Sequence, residues 1–394
     1  MAENKLADLS EATKTKPTTN ERVYRFGEFE LMKAFAILGL PIVHLLEEGI
    51  YGNYVSEDVR KLEAFIVALC IVGPSIFMMC MGFGIGGTRN TPRGTMKQGL
   101  RFLALGAILN LVRWILPGLL MFFVHGDSIS DDVFYFFVSD IYYFVGFFYL
   151  FYALMLKLKL TTSEILVATI VMLTANTLLT PVMPDVITND YLIGIIGNVV
   201  YIDGTSCFPL LSWAIFPTVG IFLGDVLKKA TDEKREKIMK HMLIFSPVIF
   251  ISYLVSLSLY GHDVMKVMVS PLNDYITDLP NVILMISLAL FLFAALYYVS
   301  NWIDETKFMK FMMKISTHIV PFYMLQWILV SWVFYGMDLF ECEEGVLTLL
   351  WFIVAAVLIT GICIYVAVKH GMKATKILIR MVSFRRKKKK AVQK

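Results

Sequence analysis

The sequence predicts an all-α, polytopic integral membrane protein of about ten transmembrane helices with both termini cytoplasmic. Three observations carry that expectation. Of the 394 residues, 57% are hydrophobic and only 17% charged, a balance foreign to soluble globular domains. Apolar runs close to the roughly 20 residues needed to cross a bilayer recur along the whole length. The connections between them alternate in basic character, and short basic loops stay cytoplasmic.

In order, the runs fall near residues 28–48, 63–85, 98–120, 132–156, 163–183, 208–227, 241–260, 280–301, 316–336 and 346–368. On one side lie Arg22 and Arg25, then Arg89, Arg93 and Lys97, then Lys157 and Lys159, "KKATDEKREK", Lys307, Lys310 and Lys314, and the terminal "RRKKKK". On the other lie "EEGIYGNYVSED", "HGDSISDD", the stretch from "PDVITND" to "DGTSC", "HDVMKVMVSPLNDYITD" and "DLFECEEG", all acidic or mixed. An even number of spans then puts both ends inside. Residues 1–27 are polar and lack an apolar signal core, so they read as a disordered cytoplasmic lead-in. Residues 28–370 form the transmembrane domain and 371–394 a basic tail. The net charge of +4 reflects inner-leaflet anchoring, with the tail touching anionic lipid and not nucleic acid.

Five cysteines are too few and too scattered for a disulfide scaffold or a zinc site. Cys70, Cys80 and Cys363 fall inside spans as packing residues, while a bridge between Cys207 and Cys342 on the outer side is left open. No nucleotide loop, dinucleotide fingerprint or HExxH occurs, and no metal is expected.

Ionisable groups inside spans are costly and face a cavity or a partner, so each is a functional candidate. Lys33 and His44 are 11 residues apart on the first span, which returns a helix to within about 20° of the same face, about 16 Å further along. His44 sits in the outer half. Pro41 cannot donate its backbone hydrogen bond and opens the helix just before the imidazole. Arg113 and Asn110 on the third span and Asp140 on the fourth reach a similar depth, with Asn176 and Trp213 nearby. Asp140 reads either as a catalytic group or as the salt-bridge partner of Arg113. Glu47 and Glu48, three and four residues beyond His44, can orient the imidazole or sit solvated at the outer end. At the inner end Lys33, Arg89, Arg93, Lys97 and Arg101 cluster around the mouths of the first three spans. Glu28 and Glu30 offer Lys33 a neutralising partner, and "MGFGIGGTRNTPRG" supplies flexible backbone suited to a phosphate or simply ends a helix.

Several segments resemble the membrane acyltransferases of the acyltransferase-3 and heparan-α-glucosaminide N-acetyltransferase-like families. "ELMKAFAILGLPIVH" carries Glu30, Lys33 and His44 at the places of that group's acidic residue, basic residue and, after ten intervening residues, histidine. Glu and Lys stand where the group usually has Asp and Arg. "GPSIFMMCMGFGI" is similar to the segment before the basic loop, "KQGLRFLALGAIL" to the basic third helix with Arg101 at its last arginine, and "CFPLLSWAIFPTVGIFLGDVL" to the "FPLLPW" segment with Trp213. "ISTHIVPFYMLQWILV" is similar to a late segment in which Gln326 stands at a second histidine.

The resemblance implies an acyl-CoA-dependent O- or N-acyltransferase of the cell membrane. Acetyl-CoA or another acyl-CoA would bind from the cytoplasm through Lys33, Arg89, Arg93, Lys97 and Arg101. His44 would act as base or acyl carrier with Glu47 and Asp140 in support, and Arg113 would hold the oxyanion. Asn110, Trp213 and Gln326 would meet an extracytoplasmic glycan, lipid or amine acceptor. Enzymes of these families are often dimeric, which leaves a homodimer open. A transporter or flippase would also need an intramembrane polar layer, and a structural or sensory membrane protein is the third class.

Overall fold

A computed structural model describes residues 26–63, 66, 72–88, 90–138, 140–202, 207–261 and 279–382. Cys70, Arg89, the lead-in with Arg22 and Arg25, and the "RRKKKK" tail lie outside the described residues. The chain is all-helical and multi-pass: among the described residues nine helices are long and apolar enough to cross a membrane. We number the main helices α1 (Gly27–Tyr51), α2 (Gly73–Ile85), α3 (Pro92–His125), α4 (Ser130–Phe137), α5 (Ile141–Lys157), α6 (Thr162–Leu179), α7 (Leu210–Leu227) and α8 (Asp232–Leu259). They continue with α9 (Asn281–Ile303), α10 (Lys307–Thr317), α11 (Ile319–Leu339), α12 (Leu349–Tyr365) and α13 (Gly371–Met381). Each predicted run has its helix. The second is represented by the 13-residue α2, and the fourth is divided into α4 and α5.

The helices start where sequence chemistry says they should. Thr91, Thr161, Thr231 and Thr306 each cap a first turn by accepting a backbone N–H, and Thr161 with Glu164 completes a capping box. Helix α1 is the hub, packing against α2, α9, α10, α11 and α12. Its buried face carries Leu31, Ala34, Ile37, Leu45 and Leu46.

The glycines of "MGFGIGG" divide their roles: Gly84 lines the cavity that Lys33 also lines, while others serve helix contact. Gly82 and Gly86 press α2 onto α7, so that a Cβ on Gly82 would fall 1.9 Å from the Pro217 carbonyl oxygen and one on Gly220 2.0 Å from that of Met79. Between helices in hydrocarbon there is no hydrophobic drive, so close backbone approach through small residues replaces it. Lys228 then locks the junction by donating to the carbonyls of Phe83 (2.7 Å) and Gly86 (2.6 Å) at the exposed end of α2. Burial holds its ammonium below the usual lysine range, partly offset by Asp225. Asp225 itself accepts from the Gly87 N–H at 2.6 Å and from the Thr162 hydroxyl.

This packing makes neighbouring glycines unequal. Gly82→Val should destabilise the protein by more than about 3 kcal/mol through backbone overlap, read as thermal unfolding in detergent. Gly84→Ala, whose Cβ meets nothing within 4 Å, should be neutral or stabilising by up to about 1 kcal/mol.

Candidate active site

A cavity of about 660 Å³ runs beside α1, lined on that helix from Met32 through Ala36, Leu40, His44 and Glu47 to Tyr51. At 1.5 Å per residue this is about 28 Å of helix, close to the full thickness of a bilayer core. Around Met32 the wall is apolar, supplied by Phe35, Ile76, Phe77, Leu292 and Leu296; around His44 it carries Glu48, Asn110, Arg113 and Asp140. At the far end the phenols of Tyr51 and Tyr135 are hydrogen-bonded at 3.1 Å.

His44 is buried, with its Nδ1 2.9 Å from Gln326 Oε1. An amide oxygen only accepts, so in this arrangement Nδ1 carries the proton and Nε2 keeps its lone pair. The imidazole lies flat on the Trp327 indole, with ring centroids 3.6 Å apart and planes at 17°. Gln326 is fully buried behind the imidazole and outside the cavity wall, so it fixes His44 and does not meet an acceptor as expected.

Arg113 reaches the same place because α3 is irregular. Residues Leu111–Ile115 form a π turn in which the Leu116 N–H returns to the Leu111 carbonyl. Pro117 has no N–H to offer the preceding turn, and the indole of Trp332 donates instead to the Val112 carbonyl at 3.0 Å. Such one-turn bulges redirect side chains and recur at functional sites. Arg113 Nη2 donates to Glu48 Oε1 at 2.6 Å and Nε to Ser331 Oγ at 3.1 Å. Its guanidinium carbon sits 3.3 Å from the Trp327 ring centroid and 4.4 Å from that of Trp114, within cation–π range.

Asp140 is not the salt-bridge partner of Arg113; that role belongs to Glu48. Nor does it lie within a continuous span. The chain is extended at Val138 and at Asp140, between α4 and α5. Asp140 caps α5, accepting from the Tyr142 N–H at 2.9 Å, and its other oxygen accepts from Tyr323 at 3.1 Å. Tyr323 in turn accepts from the Trp327 indole at 2.8 Å. A helix break at membrane depth survives only if its backbone finds partners. Asn110 and Tyr143 each donate to the Phe136 carbonyl at 3.1 Å, and Asn198 to that of Phe137 at 2.9 Å. Asn110 thus holds the break while also facing the cavity.

Other expectations resolve differently. Glu47 lines the cavity, but Glu48 makes the ion pair. Trp213 is buried between Phe208 and Phe216, each 5.0 Å away by ring centroids, outside the cavity wall. Asn176 accepts from the Tyr201 N–H at 3.0 Å and is structural. Cys207 and Cys342 are both free, so the bridge left open does not form; Cys80 and Cys363 are buried packing residues.

The inner basic group is only partly assembled. Lys33 lines a second cavity of about 530 Å³, with Thr88, Asn90, Thr91 and Gln98, and this cavity shares Phe77 with the first. Its ammonium is 2.9 Å from Glu30 Oε1, while the other Glu30 oxygen accepts from Ser316. Arg101 donates to Gln98 at 3.3 Å, at the edge of this cavity. Arg93 and Lys97 are exposed and absent from its wall. On a helix whose face 91, 94, 98 and 102 lines the cavity, position 93 points about 160° away. Arg89 lies outside the described residues.

Sequence reasoning missed Tyr323, Trp327 and Ser331. Their signal was present as polar or amphipathic residues recurring at i, i+4 and i+8 on one face of an apolar helix, beside Gln326.

A multi-pass helical protein with a histidine and a paired arginine in one intramembrane cavity is the form of an embedded membrane enzyme. Residues 26–368 match the family model described as an acyltransferase domain, and the chain belongs to that acyltransferase-3 family. No curated protein and no solved structure matches the chain.

The Arg113–Glu48 pair has a measurable signature. Removing one partner leaves a buried charge alone, so Glu48→Leu or Arg113→Met should each cost about 3 to 5 kcal/mol of stability. The double variant should recover at least half of that, read as a thermodynamic cycle from thermal unfolding. Additive losses would show that the two groups do not compensate one another.

Proposed function

We propose that the protein transfers an acetyl or other short acyl group from cytoplasmic acyl-CoA to a hydroxyl or amine of an extracytoplasmic glycan, lipid or small acceptor. The observation that carries the reading is the cavity, which follows α1 from the level of Lys33 to beyond His44. The interval from Lys33 to His44, about 16 Å of helix, is of the order of a pantetheine arm, and Lys33 lies toward the end whose loops are basic, hence cytoplasmic by the charge rule. Lys33 and Arg101 would meet the donor phosphates. Arg93 and Lys97 would act at longer range, through the field at the mouth.

In this mechanism the acceptor oxygen or nitrogen attacks the thioester carbonyl carbon while His44 Nε2 takes its proton. Negative charge gathers on the carbonyl oxygen, and Arg113 lies at the same depth to stabilise it. Collapse expels the CoA thiolate, which recovers the proton from the imidazolium. Gln326 and Trp327 hold the ring, and Asp140 acts on it only through Tyr323 and Trp327. Glu47, in the same wall, would orient the acceptor. A transporter remains the second reading, favoured by the length of the cavity alone, and it predicts solute movement without thioester consumption.

His44→Ala should reduce thioester consumption by purified protein at least about 100-fold, as for loss of a general base, with expression and fold intact. Gln326→Leu should lower kcat several-fold and leave the KM for acyl-CoA in place.

Sidedness gives an independent check. In proteoliposomes of known orientation, acyl-CoA supplied only at the face bearing the basic loops should acylate an acceptor held only at the opposite face. Acylation that requires both substrates on the basic face would place the chemistry at the inner mouth and exclude His44.

A further inference from the structure

We propose that α13 lies in the membrane interface and that the basic pocket at its start binds the phosphate of an anionic phospholipid. The apolar helix and its continuation, Leu349–Met381, run for 33 residues, or about 50 Å if straight, against a hydrocarbon core of about 30 Å. Its last third therefore lies outside the core. The chain marks the boundary itself: residues Val366–His370 form a second π turn, and His370, at φ −123° and ψ 2°, leaves the helical region before α13 begins.

Beyond that break the chemistry changes. Lys373, Lys376 and Arg380 follow one another at intervals of three and four, the spacing of a single helix face; Lys369 precedes them in the π turn, and all four are exposed. Together with His318 they line a cavity of about 610 Å³ that has no aspartate or glutamate in its wall. None of the four forms a salt bridge among the described residues. Four cations held together without a counter-ion ask for an anion of more than one charge-bearing oxygen.

The flanks of the same helix identify the anion's carrier. Met372, Ile377, Ile379 and Met381 are between 48% and 66% exposed, which suits a helix lying at the boundary of headgroups and acyl chains. A nucleotide phosphate would explain the cations but not these apolar flanks. Nor is α13 a loose extension. Gly371 is packed so tightly that a Cβ would fall 2.4 Å from Cγ of His318, and Val382 is buried. The cationic face is therefore held at a fixed height relative to the bundle, with each cation worth about fivefold in partition onto an anionic surface.

The test compares amide hydrogen exchange of residues 371–381 in the full-length protein, in nanodiscs of phosphatidylcholine alone or with one third phosphatidylglycerol. Exchange should slow at least about tenfold with phosphatidylglycerol. The slowing should vanish in Lys373→Gln/Lys376→Gln/Arg380→Gln, and should persist when the six basic residues 385–390 are changed to Gln. Unchanged exchange in α1 of each variant controls for folding. Equal exchange in the two lipids would overturn the proposal, as would loss of the effect with the tail substitutions alone. If CoA added to phosphatidylcholine discs reproduces the slowing, the pocket belongs to nucleotide phosphates and not to lipid.

Discussion

A guanidinium held within an apolar bundle is the constraint around which this molecule is arranged. Arg113 brings a charge into the bundle, so its surroundings must supply compensation. They do so from two helices, through the carboxylate of Glu48 on α1 and the hydroxyl of Ser331 and indole face of Trp327 on α11, while the guanidinium itself is delivered by α3. Because the same indole also carries the His44 ring, the geometry of the histidine follows from the neutralisation of the arginine. Asp140 enters through the other edge of that indole, by way of Tyr323.

Backbone irregularity gathers at the same place. Pro41 sits inside α1 just before His44, the π turn interrupts α3 at Arg113, and the extended residues Val138 and Asp140 lie between α4 and α5. The π turn and the break between α4 and α5 free carbonyl groups that lipid could not satisfy. Asn110, Asn198, Tyr143 and Trp332 answer for them. The polar side chains around the cavity thus fall into two populations, one that faces the cavity and one that repairs backbone, and Asn110 belongs to both.

That division explains what could be read from the sequence. The helical spans were legible because hydrocarbon imposes their length, and His44 and Arg113 were legible because ionisable residues at that depth need a reason. Glu48 could not be separated from Glu47: both lie within a turn of His44, and the choice depends on where a π turn in another helix delivers Arg113. Trp213 and Asn176 matched in depth but not in direction, and depth alone does not say which way a side chain faces. The glycines at the end of α2 looked like a loop because their partner, the Pro217–Gly224 stretch of α7, is more than a hundred residues away in sequence.

The π turn at Leu111–Ile115 is a matter of length as much as of residue identity. Removing any one of its five residues would let α3 run on as a regular helix while turning everything beyond it by about 100° and drawing it back about 1.5 Å. Pro117 would no longer fall opposite Trp332, and Gly118, whose missing side chain makes room for Asp132, would face elsewhere. Substitutions here act at one position, but a shortened gene would act on the whole last third of the helix. The extra residue is therefore a spacer whose presence keeps two halves of one span in register with different neighbours.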